Sequence, residues 1–296
     1  MTSPELLLYF EEDQASAQRL QSACGLPMAC VERHRFPDGE TKLRLPAQLP
    51  SRVVILRTLD QPNDKLLELL LCARTARTLG AQDLTLVAPY LAYMRQDMAF
   101  QPGEAISQRI VGQFLADLFD GLVTVDPHLH RVATLQEASP VQRAVVLSGA
   151  PGLSDLIAQL RPQALLIGPD EESAQWIEQA AQRHGLDYGV CRKVRRGDHE
   201  VEVALPNMAV TGRRVVLLDD VASTGHTLAN AARGLLAAGA ASVDVAVTHA
   251  LFAGDAVGLL KAARVDQIWS TDCIEHESNV VSMAAALAQA FMHSDA

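Results

Sequence analysis

The sequence predicts an α/β protein with two tandem domains, each a mostly parallel sheet flanked by helices. Short apolar runs rich in β-branched residues alternate with longer amphipathic segments, which is the pattern of βαβ units. The 296 residues are enough for two ordinary domains. A weak internal repeat pairs "TLGAQDLTLVAPY" with "AAGAASVDVAVTH", and each copy reads as a helix end, a glycine and then a strand.

The predicted strands are short apolar runs bounded by Gly, Pro or Asp. They are Leu6–Tyr9, Val53–Leu56, Leu84–Ala88, Leu122–Val125, Ala164–Ile167, Val215–Leu218, Val243–Val247 and Gln267–Trp269. Apolar residues spaced three or four apart predict helical faces within 106–118 and within 228–238, the second ending before Gly239. A segment rich in Ser, Pro and Gly near 140–150 predicts domains 1–145 and 146–296. The final helix could then pack back on the first domain.

Composition excludes several classes of function. Lys plus Arg number 25 and Asp plus Glu 35, a net charge of −10, which argues against general nucleic-acid binding but allows a small anionic substrate. No uncharged apolar run reaches the ~18–20 residues that span a bilayer. The five cysteines are scattered, so we expect reduced thiols and a cytoplasmic location rather than disulfides or a zinc site.

The stretch "VVLLDDVASTGHTL" carries the strongest chemical signal. Asp219 and Asp220 follow four apolar residues, at the strand end where open α/β sheets bind their ligands. The small polar turn that follows opens a helix, whose free N–H groups suit a phosphate, with hydroxyls from Thr224 and Thr227. The acidic pair could bind sugar hydroxyls beside that phosphate. Alternatively, both aspartates only cap the helix or pair with arginines.

This stretch resembles the phosphoribosyl-diphosphate (PRPP) loop of type I phosphoribosyltransferases and of PRPP synthetases. Further segments resemble PRPP synthetases alone, closest in pattern to the archaeal-type and short forms. They are "RFPDGETKLRL" (35–45), "APYLAYMRQDMAFQPGEAIS" (88–107), "TVDPHLH" (124–130), "GPDEES" (168–173) and "CRKVRRGDHEVEV" (191–203). The resemblance covers nearly the whole chain. It implies two type I phosphoribosyltransferase-like domains, with the ATP-binding hairpin and Arg-Gln-Asp segment in the first and the ribose 5-phosphate loop in the second.

The resemblance implies an enzyme, ribose-phosphate diphosphokinase. This family transfers the β,γ-diphosphoryl group of MgATP to the C1 hydroxyl of ribose 5-phosphate, giving PRPP and AMP. The implied partners are ATP, ribose 5-phosphate, Mg²⁺ and identical subunits, as a dimer or a hexamer. The sequence contains neither G-x-x-x-x-G-K-[ST] nor G-x-G-x-x-G, so ATP would be held by other means.

Carried over residue by residue, the resemblance implies four groups of site residues. The catalytic pair is Lys193 and Arg195. The ATP-binding residues are Phe36, Asp38, Glu40, Arg95, Gln96, Asp97 and His128. The residues for ribose 5-phosphate are Asp219, Asp220, Ser223, Thr224, Gly225, His226 and Thr227. The magnesium ligands are His128 and Asp170, directly or through water.

Several of these residues also have ordinary structural interpretations. Phe36 could be a simple hydrophobic contact, Arg95 a surface ion pair, and His128 a hydrogen-bonded loop histidine. The basic run at 192–196 could be a solvated hairpin. These roles therefore depend largely on the resemblance.

The sequence departs from the family pattern at a few positions. His226 stands where glycine is common, so it could crowd the phosphate loop or add a donor to it. Glu171 and Glu172 follow Asp170 where small residues are usual, and we expect both to face solvent. The segment after the first strand, usually rich in Gly and Ser, reads "YFEEDQ" here.

Two alternatives stay open at this point. A catalytically silent regulatory subunit would share the fold, although it would be expected to lose the Lys-x-Arg pair or the metal ligand. A phosphoribosyltransferase that consumes PRPP would explain the acidic loop. It would not explain the Arg-Gln-Asp segment or the two-domain length.

Overall fold

The computed structural model describes residues 5–129, 131–196, 200–206 and 208–293, with the side chains of 175, 193–196 and 200–204 outside the description. The chain divides into two compact units. Unit 1 comprises Met1–Leu147 with Met283–Ala296, and unit 2 comprises Ser148–Ser282. Within the described ranges, no helix combines the length and the apolar character needed to cross a bilayer.

Unit 1 is built on a six-stranded parallel sheet with the order β2-β1-β5-β6-β7-β8. Its strands are β1 (Leu6–Tyr9), β2 (Met28–Cys30), β3 (Glu32–Arg35), β4 (Thr41–Arg44), β5 (Arg52–Leu56), β6 (Asp83–Ala88), β7 (Gly121–Val125) and β8 (Arg143–Leu147). Its first helices are α1 (Gln14–Cys24), α2 (Pro62–Thr78), α3 (Ser107–Ala116) and α4 (Leu135–Ala138). Strands β3 and β4 form a separate antiparallel hairpin.

Unit 2 repeats this plan with the sheet order β10-β9-β13-β14-β15-β16. Its strands are β9 (Leu165–Gly168), β10 (Tyr188–Val190), β11 (Arg192–Arg196), β12 (Glu200–Ala204), β13 (Arg214–Ala222), β14 (Ser242–Ala250), β15 (Ile268–Thr271) and β16 (Asn279–Val281). Its helices are α5 (Ala150–Leu160), α6 (Ala174–His184), α7 (His226–Ala237) and α8 (Ala256–Ala262). Strands β11 and β12 pair only with each other in the described structure.

The last helix, α9 (Ala284–Met292), belongs to unit 1. It packs against α1 and against β6, β7 and β8. Leu287, Ala288 and Phe291 are its buried residues. Each sheet is therefore covered by helices, as a parallel sheet with apolar residues on both faces requires.

Apolar runs explain the central strands. Strand β1 reads "LLLY" and β5 reads "RVVIL", and all their residues except the first are buried. The carboxyl ends of parallel neighbours lie at the same edge of a sheet. His128, Asp170 and the Arg-Gln-Asp segment follow such strand ends, and the acidic pair lies near the end of β13, whereas the β3–β4 and β11–β12 hairpins are separate from these sheets. The parallel sheets thus gather residues that are far apart in sequence.

Two strands differ from the sequence-based prediction. We expected one strand to end at Leu218, but β13 continues to Ala222 because β14 pairs with it as far as Ala250. The Ser/Pro/Gly-rich segment near 140–150 predicts a domain boundary, but residues 143–147 within it form the edge strand β8. Most of that strand is half-exposed, so it lacks the buried run that predicts central strands.

Candidate active site

Two adjacent carboxylates lie near the carboxyl end of β13. Asp219 and Asp220 are consecutive residues of this nine-residue strand, and three residues from its end their charges act on each other. Asp220 is buried and Asp219 is half-buried. Asp220 also donates its backbone N–H to Asp219 Oδ1 at 3.0 Å. The pair is therefore part of the sheet and not of a flexible loop.

A third carboxylate, that of Asp170, lies just after the end of the neighbouring strand β9. This strand runs parallel to β13, so both end at one edge of the unit 2 sheet. Burial raises the pKa of Asp219 well above its usual value, and the charges of Asp220 and Asp170 raise it further. This edge therefore favours a ligand that donates hydrogen bonds or carries positive charge.

Asp170 is held by a short helix at Glu171–Ser173. Its Oδ1 accepts the backbone N–H of Glu172 at 3.1 Å, and its carbonyl accepts the Ser173 hydroxyl at 2.6 Å. Gly168 makes room for this approach, because a Cβ there would lie 2.2 Å from Ser173 Oγ. Glu171 and Glu172 are exposed, as the sequence analysis expected.

The turn that joins β13 to α7 is tied to the segment after β14. The carbonyl of Ala222 accepts the N–H of Phe252, and the carbonyl of Ser223 accepts the N–H of Ala253, both at 2.9 Å. Gly225 has a φ of 75°, a conformation that glycine adopts readily. A Cβ at Gly225 would also lie 3.3 Å from a backbone oxygen, that of Ala256.

Helix α7 begins directly at this turn, with Gly225 as its N-cap. Glycine offers no side chain to cap the helix, and the first turn of α7 contains no acidic residue. Its N–H groups and positive dipole end can therefore bind an anion. His226 and Thr224 are exposed, whereas Ser223 and Thr227 are half-buried. The positive φ falls on Gly225 and not on His226, so this backbone accommodates histidine where the family often has glycine.

The basic hairpin β11–β12 carries Lys193 and Arg195. These residues lie two apart on β11, opposite Val203 and Val201 of β12. Their side chains lie outside the described part of the structure, so their catalytic role stays a prediction. At the base of the hairpin, the exposed Arg192 approaches Glu171 with 3.6 Å between Nε and Oε1.

In unit 1, Phe36 lies in the turn of the β3–β4 hairpin. Its ring is 39% exposed and packs edge-on against His34, with centroids 4.8 Å apart. Asp38 Oδ1 accepts the N–H of Glu40 at 3.1 Å, and the carbonyl of Glu40 accepts the N–H of Phe36 at 2.8 Å. Asp38 therefore shapes the turn, while the ring of Phe36 stays accessible to a planar ligand.

The Arg-Gln-Asp segment follows β6. Arg95 is exposed, whereas Asp97 is buried and forms an ion pair with Arg131 at 2.7 Å. The guanidinium of Arg131 also lies 5.8 Å from the ring centroid of Phe100. Arg131 follows His128 by three residues, so it joins the His128 segment to the Arg-Gln-Asp segment. Sequence reasoning missed Arg131, since its partner lies 34 residues away.

Gln108 is a second residue that the sequence analysis missed. Its side chain is fully buried, and Nε2 donates to the carbonyl of Met94 at 3.2 Å. Its backbone N–H donates to the carbonyl of Gln96 at 3.2 Å. Both neighbours of Arg95 are thereby held by one residue of α3. The local sequence does not predict this contact, because glutamine is common in helices and the sequence does not show that this one is buried.

The protein groups at these strand ends could hold magnesium only together with ligands from outside the protein. Magnesium prefers oxygen ligands and keeps several waters. Asp170 supplies a carboxylate, and the mutual repulsion of three carboxylates would be relieved by a divalent cation. Among the described residues, no group of three or more His, Cys, Asp or Glu is arranged to hold a metal ion. Water and substrate oxygens would therefore complete the coordination.

Comparisons with known proteins show which family this chain resembles. The model for the N-terminal domain of ribose phosphate pyrophosphokinase matches residues 6–118, and the phosphoribosyl transferase domain model matches residues 151–285. The ribose-phosphate pyrophosphokinase of Methanopyrus kandleri is 34% identical, over 96% of this chain and 98% of its own. The chain belongs to the ribose-phosphate pyrophosphokinase family.

Further members of the ribose-phosphate pyrophosphokinase family support the assignment. The Saccharolobus solfataricus protein of that name is 33% identical, over 87% of this chain and 89% of its own. The crystal structure of phosphoribosylpyrophosphate synthetase from Mycobacterium smegmatis gives a TM-score of 0.83 with 21% identity over 97% of each chain. That likeness confirms the predicted fold class, two phosphoribosyltransferase-like α/β domains.

Proposed function

We propose that this chain is a ribose-phosphate diphosphokinase, which converts ATP and ribose 5-phosphate into PRPP and AMP. The observation that carries the proposal is the full-length similarity to ribose-phosphate pyrophosphokinases, which includes their own N-terminal domain. A phosphoribosyltransferase would not account for that domain. The silent regulatory subunit is disfavoured because the chain retains Lys193, Arg195, His128 and Asp170.

In the proposed mechanism, unit 2 binds ribose 5-phosphate. Asp219 and Asp220 accept hydrogen bonds from ribose hydroxyls, which compensates the unfavourable burial of two carboxylates. Residues 223–227 and the first turn of α7 bind the 5-phosphate through backbone N–H and hydroxyl groups. This fixes the sugar at both ends and orients its C1 hydroxyl.

Unit 1 supplies the proposed ATP-binding residues. Phe36 stacks on adenine, Asp38 and Glu40 organise its hairpin, and Arg95 with Gln96 contacts the nucleotide while Asp97 holds their loop. His128 and Asp170 are the proposed magnesium ligands. Magnesium would neutralise phosphate charge when bound.

The chemical step is a displacement at the β-phosphorus of ATP. The C1 hydroxyl oxygen forms a bond to this phosphorus and releases its proton to water, while the bond from the phosphorus to the α,β-bridging oxygen breaks and AMP leaves with that oxygen. Negative charge on the transferring group then needs stabilisation. Lys193 and Arg195 provide it in the proposal, from a two-stranded hairpin that can close over the reactants and exclude water.

A direct assay tests the proposal. Purified protein is incubated with ATP, Mg²⁺ and ribose 5-phosphate, and AMP and PRPP are measured. We expect both products in equal amounts. Formation of neither product would instead support the silent subunit. Turnover of PRPP with a nucleobase, but not of ATP with ribose 5-phosphate, would support the phosphoribosyltransferase.

The cellular setting is also proposed. None of the five cysteines, all in the described part of the chain, forms a disulfide bond, which fits the proposed cytoplasmic location. We further propose a homo-oligomer, a dimer or a hexamer, as in the family. Light scattering of the purified protein tests this, and a strictly monomeric active enzyme would contradict it.

A further inference from the structure

A network of charged side chains in unit 1 has no role in the mechanism above. We call it the Arg33–Glu68 network, and its members are Glu12, Asp13, Arg33, Arg57 and Glu68. Arg57 and Glu68 are each only 1% exposed, and Asp13 is 4% exposed. Charged groups are rarely buried to this extent unless they are paired. The network therefore needs a structural or functional reason.

Glu68, on α2, is the centre of this network. Its Oε1 accepts Arg33 Nη1 at 2.8 Å, and its Oε2 accepts Arg57 Nη2 at 2.5 Å. Arg57 Nη1 continues to Asp13 Oδ2 at 2.8 Å, and Arg33 Nη2 reaches Glu12 Oε1 at 2.5 Å. One carboxylate on α2 thus joins two arginines, one from the end of β5 and one from β3.

Burial alone makes such a network a poor source of stability. The cost of removing charges from water often exceeds their mutual attraction, and apolar side chains of similar size can do as well or better. The hydrogen bond that Arg33 donates to Glu68 nevertheless raises the pKa of Arg33. Charge-assisted hydrogen bonds are strong and directional, so the network is better suited to fixing a geometry.

The part of unit 1 that needs its geometry fixed is the β3–β4 hairpin. Its strands pair only with each other in the described structure and not with the main sheet. A lone two-stranded hairpin is marginally stable in water. Side chains must therefore set its position, and the bond from Arg33 to Glu68 is its contact with a nearly fully buried charged group. In the other ion pairs described for the hairpin, Arg33–Glu12, Arg35–Asp64 and Arg44–Glu32, the carboxylate is exposed.

We propose that Arg33 and Glu68 are positioning residues for the nucleotide. They anchor the β3–β4 hairpin to α2, and so present Phe36, three residues after Arg33, to the adenine of ATP. This inference rests on the proposed function. Neither residue touches the reacting atoms.

The test compares three variants of the assembled enzyme. Arg33→Met removes the ion pair with Glu68. Arg33→Lys keeps the positive charge but lacks the planar guanidinium, whose two Nη groups bind Glu68 and Glu12. Glu32→Gln is the matched control, because it breaks an exposed ion pair on the same strand. The side chain of Arg33 is 26% exposed and that of Glu68 only 1%. Replacing Arg33 should therefore lower the free energy of unfolding less than replacing Glu68.

We expect Arg33→Met to raise KM and Kd for ATP about tenfold, the effect of losing one strong positioning contact. KM for ribose 5-phosphate and kcat should stay within about twofold, since those depend on other contacts. Arg33→Lys should fall between wild type and Arg33→Met. Hydrogen exchange should accelerate at the amides of 32–44 in Arg33→Met and not in Glu32→Gln.

Other outcomes would overturn the inference. One is an equal rise in KM for both substrates in Arg33→Met. Another is the same KM and Kd for ATP in Arg33→Met as in Glu32→Gln. A third is faster hydrogen exchange of the hairpin with unchanged affinity for ATP. Failure of the proposed function is distinguishable, because wild-type protein would then form no PRPP. Calorimetric Kd for ATP and hydrogen exchange would still compare the variants, and absence of ATP binding by wild type would overturn the inference as well.

Discussion

Asp220 donates its backbone N–H to the carboxylate of Asp219 at 3.0 Å, while the two carboxyl groups oppose each other electrostatically. Burial raises the pKa of Asp219, and the charges of Asp220 and Asp170 add to that effect. The folded protein therefore binds the Asp219 proton more tightly than the unfolded chain. The free energy of unfolding must then fall as pH rises from about 4, the ordinary pKa of an aspartate, through the raised value.

Asp219→Asn should stabilise the protein at neutral pH, because it removes a carboxylate that is costly to ionise. One pKa unit corresponds to about 1.4 kcal/mol, so we expect the thermal midpoint to rise by a few degrees at pH 7. The gain should vanish below about pH 4, where both forms carry no charge at this position. Thermal denaturation at several pH values measures it, and binding of ribose 5-phosphate should weaken in the same variant.

Asp244→Asn is the matched control for this prediction. Asp244 is fully buried on the neighbouring strand β14, but it is paired with Arg161 at 2.7 Å. Its replacement should therefore lower the thermal midpoint at pH 7. A lower thermal midpoint of Asp219→Asn at pH 7, as expected for Asp244→Asn, would show that the acidic pair stabilises the fold. It would contradict the proposal that the pair is kept for binding ribose.

Gly225→Ala should impair the phosphate turn. The backbone there has a φ of 75°, and the new Cβ would lie 3.3 Å from the Ala256 carbonyl. We expect a loss of about 1 kcal/mol of stability and a several-fold higher KM for ribose 5-phosphate, with KM for ATP unchanged. Gly185→Ala is the control, because its φ is 63° and its Cβ would meet nothing within 4 Å. A KM for ribose 5-phosphate that rose equally in both variants would exclude a local role for the turn.

Arg131→Met should loosen the Arg-Gln-Asp segment, because it leaves the buried carboxylate of Asp97 without its 2.7 Å partner. Steady-state kinetics should show KM for ATP about tenfold higher and KM for ribose 5-phosphate within twofold. Arg77→Met breaks a partly exposed 2.7 Å pair with Asp120, before the first residue of β7, and should leave both KM values unchanged. Unchanged KM for ATP in Arg131→Met would refute the positioning role.

Lys193→Ala should lower kcat by about a hundredfold or more, since a cation acting on charge in the transition state is removed. Calorimetry should give a Kd for ATP that changes much less. Normal turnover with a weaker Kd would instead assign Lys193 to ground-state binding. Unchanged kcat together with unchanged Kd would instead favour the interpretation of the basic run at 192–196 as a solvated hairpin without a catalytic role.

The sequence predicted the central parts of both sheets because those strands are continuous apolar runs. Leu6–Tyr9 was predicted with the bounds that β1 has in the structure. Short edge strands were missed: β2 and β16 have three residues each, and none of these is buried. Hydrophobic pattern therefore located the interior strands and gave no signal at the edges.

The candidate site was predictable only where its chemistry is local in sequence. The acidic pair and the turn before His226 form one continuous motif, and the resemblance located the other segments. Contacts such as Arg131 with Asp97 and Gln108 with Met94 join separate segments, so tertiary packing alone creates them. The extension of β13 past the aspartates likewise depends on pairing with β14, which no single segment encodes.

The fate of the β-phosphorus of ATP tests the central claim most directly. ATP labelled at the α or at the β position is incubated with Mg²⁺, ribose 5-phosphate and the protein, and the labelled products are separated. We predict that the α label appears in AMP and the β label in the ribose product. Retention of the β label in ADP, or its absence from any ribose product, would contradict diphosphoryl transfer by this chain.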